Sequence, residues 1–100
     1  MTFRTMAEVR AANAAIGHQF FDAGSLRFFD SRIGRTLYGG RYFITSEQFH
    51  GSDGYTAPRM YTVREVMPDG KIETVADFQK FDTNEQARAA IRRLLKGGEA

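Results

Sequence analysis

The stretch Arg59–Phe81, RMYTVREVMPDGKIETVADFQKF, decides how this chain folds. Two runs rich in Val, Tyr, Thr and Ile flank Pro68-Asp69-Gly70-Lys71. Proline pre-sets φ, aspartate bonds its own backbone and glycine accepts a left-handed conformation, so these four residues specify a tight turn. The stretch reads as a β-hairpin with strands Arg59–Met67 and Ile72–Phe81. Upstream, His50–Pro58 carries two glycines, a Ser-Asp pair and a proline and reads as an exposed loop. Before it, Arg41–Phe49 is a third strand, with Phe43, Thr45 and Glu47 on one side and Tyr42, Ile44 and Ser46 on the other.

Helices flank the strands. Thr5-Met6-Ala7-Glu8 is a capping box, in which the Thr5 hydroxyl accepts from the Glu8 amide and Glu8 reaches back. An alanine-rich helix follows to Ile16, stopped by Gly17, with Met6, Val9, Ala12 and Ile16 along one side. Asp82 and Thr83 cap a second helix that runs to Lys96 before Gly97-Gly98. Its apolar face is Ala87, Ala90, Ile91, Leu94 and Leu95, and Arg88, Arg92, Arg93 and Lys96 project from the other. The expected fold is α+β: a three-stranded antiparallel meander with N- and C-terminal helices, α-β-β-β-α, and an aromatic-rich insertion after the first helix. Both strand faces carry large apolar residues, so the helices are expected on one face and residues 19–36 over part of the other. The expected core includes Phe43, Ile44, Val63, Val75, Ile91 and Leu94.

One hundred residues make a single domain, 1–100. Its 42% hydrophobic content supports a packed core and excludes a disordered chain. The 14 basic and 12 acidic residues leave +2, which argues against an acidic DNA mimic. All but three of the cations are arginine, favouring bidentate or stacked contacts over diffuse attraction. The absence of cysteine excludes disulfides and thiolate chemistry and fits a reducing cytoplasm. No apolar run is long enough for a signal peptide or a membrane span.

Nothing in the sequence is a catalytic signature, and neither metal nor cofactor is expected. His18 follows a helix-stop glycine and His50 enters a loop; neither has the spacing of a metal site or a triad. Asp22 and Asp69 are accounted for by turns. Gly39-Gly40 precedes a strand rather than a helix, so it is no phosphate cradle; a bulge or close backbone approach is the expected role.

The residues that suggest a recognition surface are concentrated in Leu26–Phe49, LRFFDSRIGRTLYGGRYFITSEQF. Arg27, Arg32, Arg35 and Arg41 have Asp30 as their one internal counter-charge. Leu26–Phe29 reads equally as a short strand or a helical turn, and Asp30–Thr36 as a loop. On the last helix, Arg88 and Arg92 lie one turn apart, and Glu85 is the one acid from 83 to 96. Interfaces favour arginine with aromatic rings. The candidate partner-binding residues are therefore Arg27, Arg32, Arg35, Arg41, Arg88 and Arg92, with exposed rings from Tyr38, Tyr42 or Tyr55. An outer helix face is also ordinarily charged for solvation alone.

The α-β-β-β-α order resembles the double-stranded-RNA-binding fold, which implies RNA or DNA as an alternative partner. The chain departs from it where Thr83-Asn84-Glu85 stands in place of a basic cluster at the helix start. Taken together, Leu26–Phe49, YTVREV, KIETVADFQKF and the F-x-T-x-E-Q-A entry of Phe81–Ala87 are similar to small proteins encoded by bacteriophages and prophages. That resemblance implies a non-enzymatic protein that acts in the bacterial host cytoplasm by binding a host protein or ribonucleoprotein complex. Inhibitors of host defence, anti-CRISPR proteins among them, work in this way.

Overall fold

The structure, a computed structural model, describes residues 3–22, 24–25, 33–49 and 53–98. Helix α1 (Met6–Ala15) is followed by strands β1 (Tyr42–Glu47), β2 (Met60–Val66) and β3 (Ile72–Val75) and by helix α2 (Asn84–Leu95). The strands form one antiparallel sheet in the order β1-β2-β3. The expected α+β architecture is the one observed. Leu26–Phe29 and the first three residues of the expected loop, 30–32, lie outside the described residues.

Local chemistry sets the helix ends. Thr5 Oγ1 accepts from the Glu8 amide at 3.2 Å, and Glu8 Oε1 accepts from the Arg4 amide at 2.8 Å. Thr83 and Gln86 repeat the device on α2: Thr83 Oγ1 accepts from the Gln86 amide and Gln86 Oε1 from the Asp82 amide. The hairpin between β2 and β3 closes through Met67 N–H to Lys71 O and Gly70 N–H to Met67 O, both 2.8 Å. With Gly70 at φ +99°, this is a three-residue loop ending in a left-handed glycine.

The helices do not share a face of the sheet, contrary to expectation. Met6 and Val9 of α1 cluster with Ile33, Phe43, Val66 and Ile72, and Phe20 and Phe21 pack against them. Ala87, Ala90 and Ile91 of α2 cluster with Tyr42, Ile44, Val63 and Phe81. Because side chains alternate along a strand, Phe43 and Ile44 must face opposite ways, and each face receives its own helix. Val75 and Leu94 are partly buried at the margin of the α2 cluster. The expected stripe on α1 also needs correction. Ile16 is 45% exposed, and Asn13 is the buried residue in that turn.

Asn13 is buried because all its polar atoms are matched. Its Nδ2 donates to the Gly70 carbonyl at 2.9 Å and lies 2.9 Å from His18 Nδ1, while Oδ1 accepts from the Phe20 amide at 2.9 Å. One side chain thus ties α1 to the β2–β3 turn and to the segment after α1. The fit is close: a Cβ on Gly70 would fall 2.7 Å from the Ala12 backbone.

β3 is shorter than the sequence suggested. After Val75 the chain leaves the ladder over Ala76–Lys80 and returns at Phe81, which exchanges two backbone hydrogen bonds with Tyr61. Ala76 and Gln79 adopt φ of +61° and +59° in this excursion. The Gln79 amide donates to Thr62 Oγ1 at 2.9 Å, which draws the loop onto the α1 side of the sheet. There the strands are polar: Thr45, Glu47, Thr62 and Arg64 are all buried. Arg64 Nε donates to Thr45 Oγ1 at 3.0 Å and Nη1 donates to Thr74 Oγ1. Its guanidinium also lies over the Phe20 and Phe78 rings, 5.4 and 5.6 Å from their centroids.

Candidate recognition cleft

Residues 33–38 form an arm along the free edge of β1. Ile33 bridges Thr45, and the Gly34 amide donates to the Ile44 carbonyl at 2.7 Å. Tyr38 and Tyr42 exchange backbone hydrogen bonds of 2.8 and 3.1 Å around Gly39-Gly40. Both glycines have positive φ, +58° and +72°, within a three-residue loop, Gly39-Gly40-Arg41, whose Arg41 amide also donates to the Tyr38 carbonyl at 3.0 Å. The glycine pair is therefore a turn rather than a bulge. The expected close approach does occur at Gly39, where a Cβ would fall 2.5 Å from Leu95 Cδ2, and also at Gly34, where one would meet the Ile44 carbonyl oxygen at 2.8 Å.

Between this arm and the N-terminal half of α2 lies a cleft with two adjoining lobes. The larger, about 400 Å³, is lined by Ile33, Gly34, Arg35, Ile44, Ser46, Tyr61 and Asn84. The smaller, about 250 Å³, is lined by Gly34, Arg35, Thr36, Tyr38, Ile44, Asn84 and Arg88. Arg35, Tyr38 and Arg88, which the sequence placed on two separate surfaces, here wall one cavity. Arg35 is exposed and makes no hydrogen bond or ion pair with another described residue. Tyr38 is half-buried, its ring packed against the α2 cluster.

The other candidates separate from this group. Tyr42 is 4% exposed and belongs to the core, so it offers no ring to a partner; its position one step into β1 turns it toward α2. Tyr55 is exposed but does not line the cleft. Arg27 and Arg32 lie outside the described residues, as does His50.

Acidic partners also reduce the cationic surface. Arg41 pairs with Glu65, which holds its guanidinium above the ordinary range, and its charge lies 5.1 Å from the Tyr42 ring centroid. Glu85 accepts from both Arg88, at 2.9 Å, and Arg92, at 3.3 Å. The helix face therefore does have an acidic neighbour, through i,i+3 geometry and one further turn. A single carboxylate shared by two guanidinium groups still leaves that end of α2 positive.

Sequence reasoning missed Ile33, Thr36, Ile44, Ser46, Tyr61 and Asn84 as cleft residues. The signal that could have found the arm is Tyr38-Gly39-Gly40-Arg41-Tyr42, a glycine pair between β-prone residues. A separate cleft of about 380 Å³ beside α1 is lined by Arg10, Asn13, Gln19, Phe21 and Asp22 among others, and Asp22 Oδ1 in it accepts from the Ser25 amide. Asn13 is fully bonded, and Arg10 stacks 5.2 Å from the Phe21 centroid. Among the described residues, no group of three or more His, Asp or Glu side chains could hold a metal ion, and no helix is long and apolar enough to cross a membrane.

A model of a family of unknown function, DUF7447, matches residues 5–92, and the chain belongs to that family. The match runs from the α1 cap into the last turns of α2 and so includes the whole cleft. No curated protein and no solved structure matches the chain.

Proposed function

We propose that this protein is a non-enzymatic interaction protein that binds another protein through the cleft between the Ile33–Tyr38 arm and α2. The observation that carries the proposal is the convergence of Arg35 and Arg88, from distant parts of the chain, on one cavity that also contains Tyr38. Arginine and tyrosine beside a partly apolar floor are the composition of interface anchors. The resemblance to small phage-encoded proteins supplies the context, a bacterial host protein or complex as partner and inhibition of host defence as the biological outcome. Nucleic acid is the weaker alternative, because Arg41, Arg88 and Arg92 all carry ion pairs within the chain.

Reversing both cleft charges, Arg35→Glu with Arg88→Glu, tests the proposal. Capture of a partner from a bacterial lysate is expected to be lost while the thermal melt shifts by only a few degrees, since exposed substitutions usually cost under about 0.5 kcal/mol. Undiminished capture by the folded double variant removes the cleft from the function. Generic nucleic-acid binding is recognised by a steep fall in affinity with salt.

A further inference from the structure

We infer that the cleft takes an acidic–apolar step of a partner polypeptide, with an Asp or Glu carboxylate in the smaller lobe and a neighbouring apolar side chain in the larger. This rests on the proposal that the cleft is the partner-binding site, and it specifies the chemistry of what binds there.

The smaller lobe is rich in donors. Arg35, Thr36, Tyr38, Asn84 and Arg88, whose side chains all carry N–H or O–H groups, line it, and no carboxylate is among its described lining residues. Among the described residues Arg35 has no partner, and Arg88 uses only Nη2 on Glu85, so part of its fork remains open. Asn84 is the first residue of α2, and the partial positive charge at that helix end adds to the same field. Such a lobe is matched by a planar anion that accepts several hydrogen bonds.

The larger lobe differs in kind. Its apolar floor is Ile44, 6% exposed, beside the half-buried Tyr61 ring; Ile33 borders it, but its side chain belongs to the α1 cluster. Ser46 also lines it, but its hydroxyl is engaged by Arg59 Nη1 at 3.1 Å. Arg35 is the one cation among the described residues lining this lobe, and it is shared with the smaller one. A nucleic-acid strand entering the smaller lobe would bring its next phosphate against Ile44 and the Tyr61 ring, and Arg59, the cation that borders this lobe, is held on the Ser46 hydroxyl. A polypeptide can place a carboxylate and an alkyl or aromatic side chain on adjacent or alternate residues. Gly34, Arg35, Ile44 and Asn84 line both lobes, so one short segment spans them.

A library of random heptapeptides displayed on yeast is selected against the full-length protein, with the folded Arg35→Glu, Arg88→Glu variant as counter-selection. Enriched peptides are expected to share Asp or Glu within two residues of Leu, Ile, Val or Phe. Changing that acid to its amide should weaken binding about tenfold or more, the scale of a hydrogen bond to a charged group. Arg35→Ala, a substitution at an exposed side chain, should do the same and serves as the test if the double reversal does not fold. Peptides that depend on the cleft but lack a shared acid overturn the inference and leave the cleft as binding site. Peptides that bind the variants as well as the parent overturn both. No enrichment overturns the inference, as does a mixed-sequence oligonucleotide that displaces the selected peptides at physiological salt.

Discussion

On the α2 side of the sheet, Tyr42, Ile44 and Val63 meet Ala87, Ala90 and Ile91, and the contact is apolar from one strand to the next. On the α1 side, Phe43, Val66 and Ile72 fill one end, and the same strands then present Thr45, Thr62, Arg64 and Glu47 to the interior. The first face is held by volume and area, which a similar hydrophobic side chain can replace at modest cost. The second is held by matched donors and acceptors, where removing one partner leaves another buried and unsatisfied. Glu47 shows how narrow that margin is: neither of its buried carboxylate oxygens has a well-formed hydrogen bond to another described residue. Burial pushes its carboxyl above the ordinary range, and the proximity of Gln79, Arg64 and Arg59 offsets this only in part. Burial likewise pulls Arg64 below its ordinary value, while Glu47 draws it back.

The largest test of this contrast is Ile91→Ala. Ile91 is fully buried between α2 and the sheet, so a loss of about 2–5 kcal/mol is expected in denaturant unfolding. A loss below about 1 kcal/mol would mean that the α2 face collapses around the cavity and is less tightly packed than described. Asn13→Ala comes next. It leaves the Gly70 carbonyl and the Phe20 amide without their partner, with an expected cost of about 1–3 kcal/mol. Amide exchange should locate that loss at α1 and the β2–β3 turn. A uniform change across the sheet contradicts the view that the α1 face depends on local pairing.

Gly40→Val places a β-branched residue at φ +72° in the turn between the arm and β1, with an expected cost of about 1–2 kcal/mol. If the strain stays within this turn, exchange should quicken at Tyr38 and Tyr42 and remain slow in α1. An unchanged melting temperature refutes the strained-turn assignment.

Glu47→Gln has the smallest expected effect and the most specific signature. A carboxyl raised on folding binds its proton more tightly in the folded state. Its contribution is therefore fully present below the unfolded pKa and is lost as pH rises through the folded one. The glutamine variant should melt above the parent at neutral pH, and the gap should close as pH falls through the carboxylate range. A variant that melts lower at neutral pH would show that attraction to Arg64 and Arg59 outweighs burial.

The contrast between the faces also explains what could be read in advance. Helix caps at Thr5 and Thr83 and the turn at Pro68–Lys71 are local, and their residues announced them. Which helix covers which face is a long-range matter, because Phe43 and Ile44 ask equally for cover. Asn13 interrupts an apolar stripe, and its acceptor, the Gly70 carbonyl, is remote in sequence. The excursion at Ala76–Lys80 carries no glycine to mark its two left-handed residues, so KIETVADFQKF reads as one strand. The cleft was half legible. Arg35, Tyr38 and Arg88 stood out by residue type, but only the hairpin at Gly39-Gly40 brings the arm alongside β1, one face of which packs against α2.

The Asn13–Gly70 hydrogen bond spans 57 residues, and that span has a meaning in time. At about 5–20 residues per second, synthesis delivers Gly70 roughly 3–11 s after Asn13. During that interval α1 exists without the carbonyl it is built to bind. A ten-residue helix is marginal on its own in water, so capping and alanine content do not preserve it through the wait. Of the two helices described, the one made earlier is thus among the last elements to settle, and the turn that closes the β2–β3 hairpin sets the moment at which it docks.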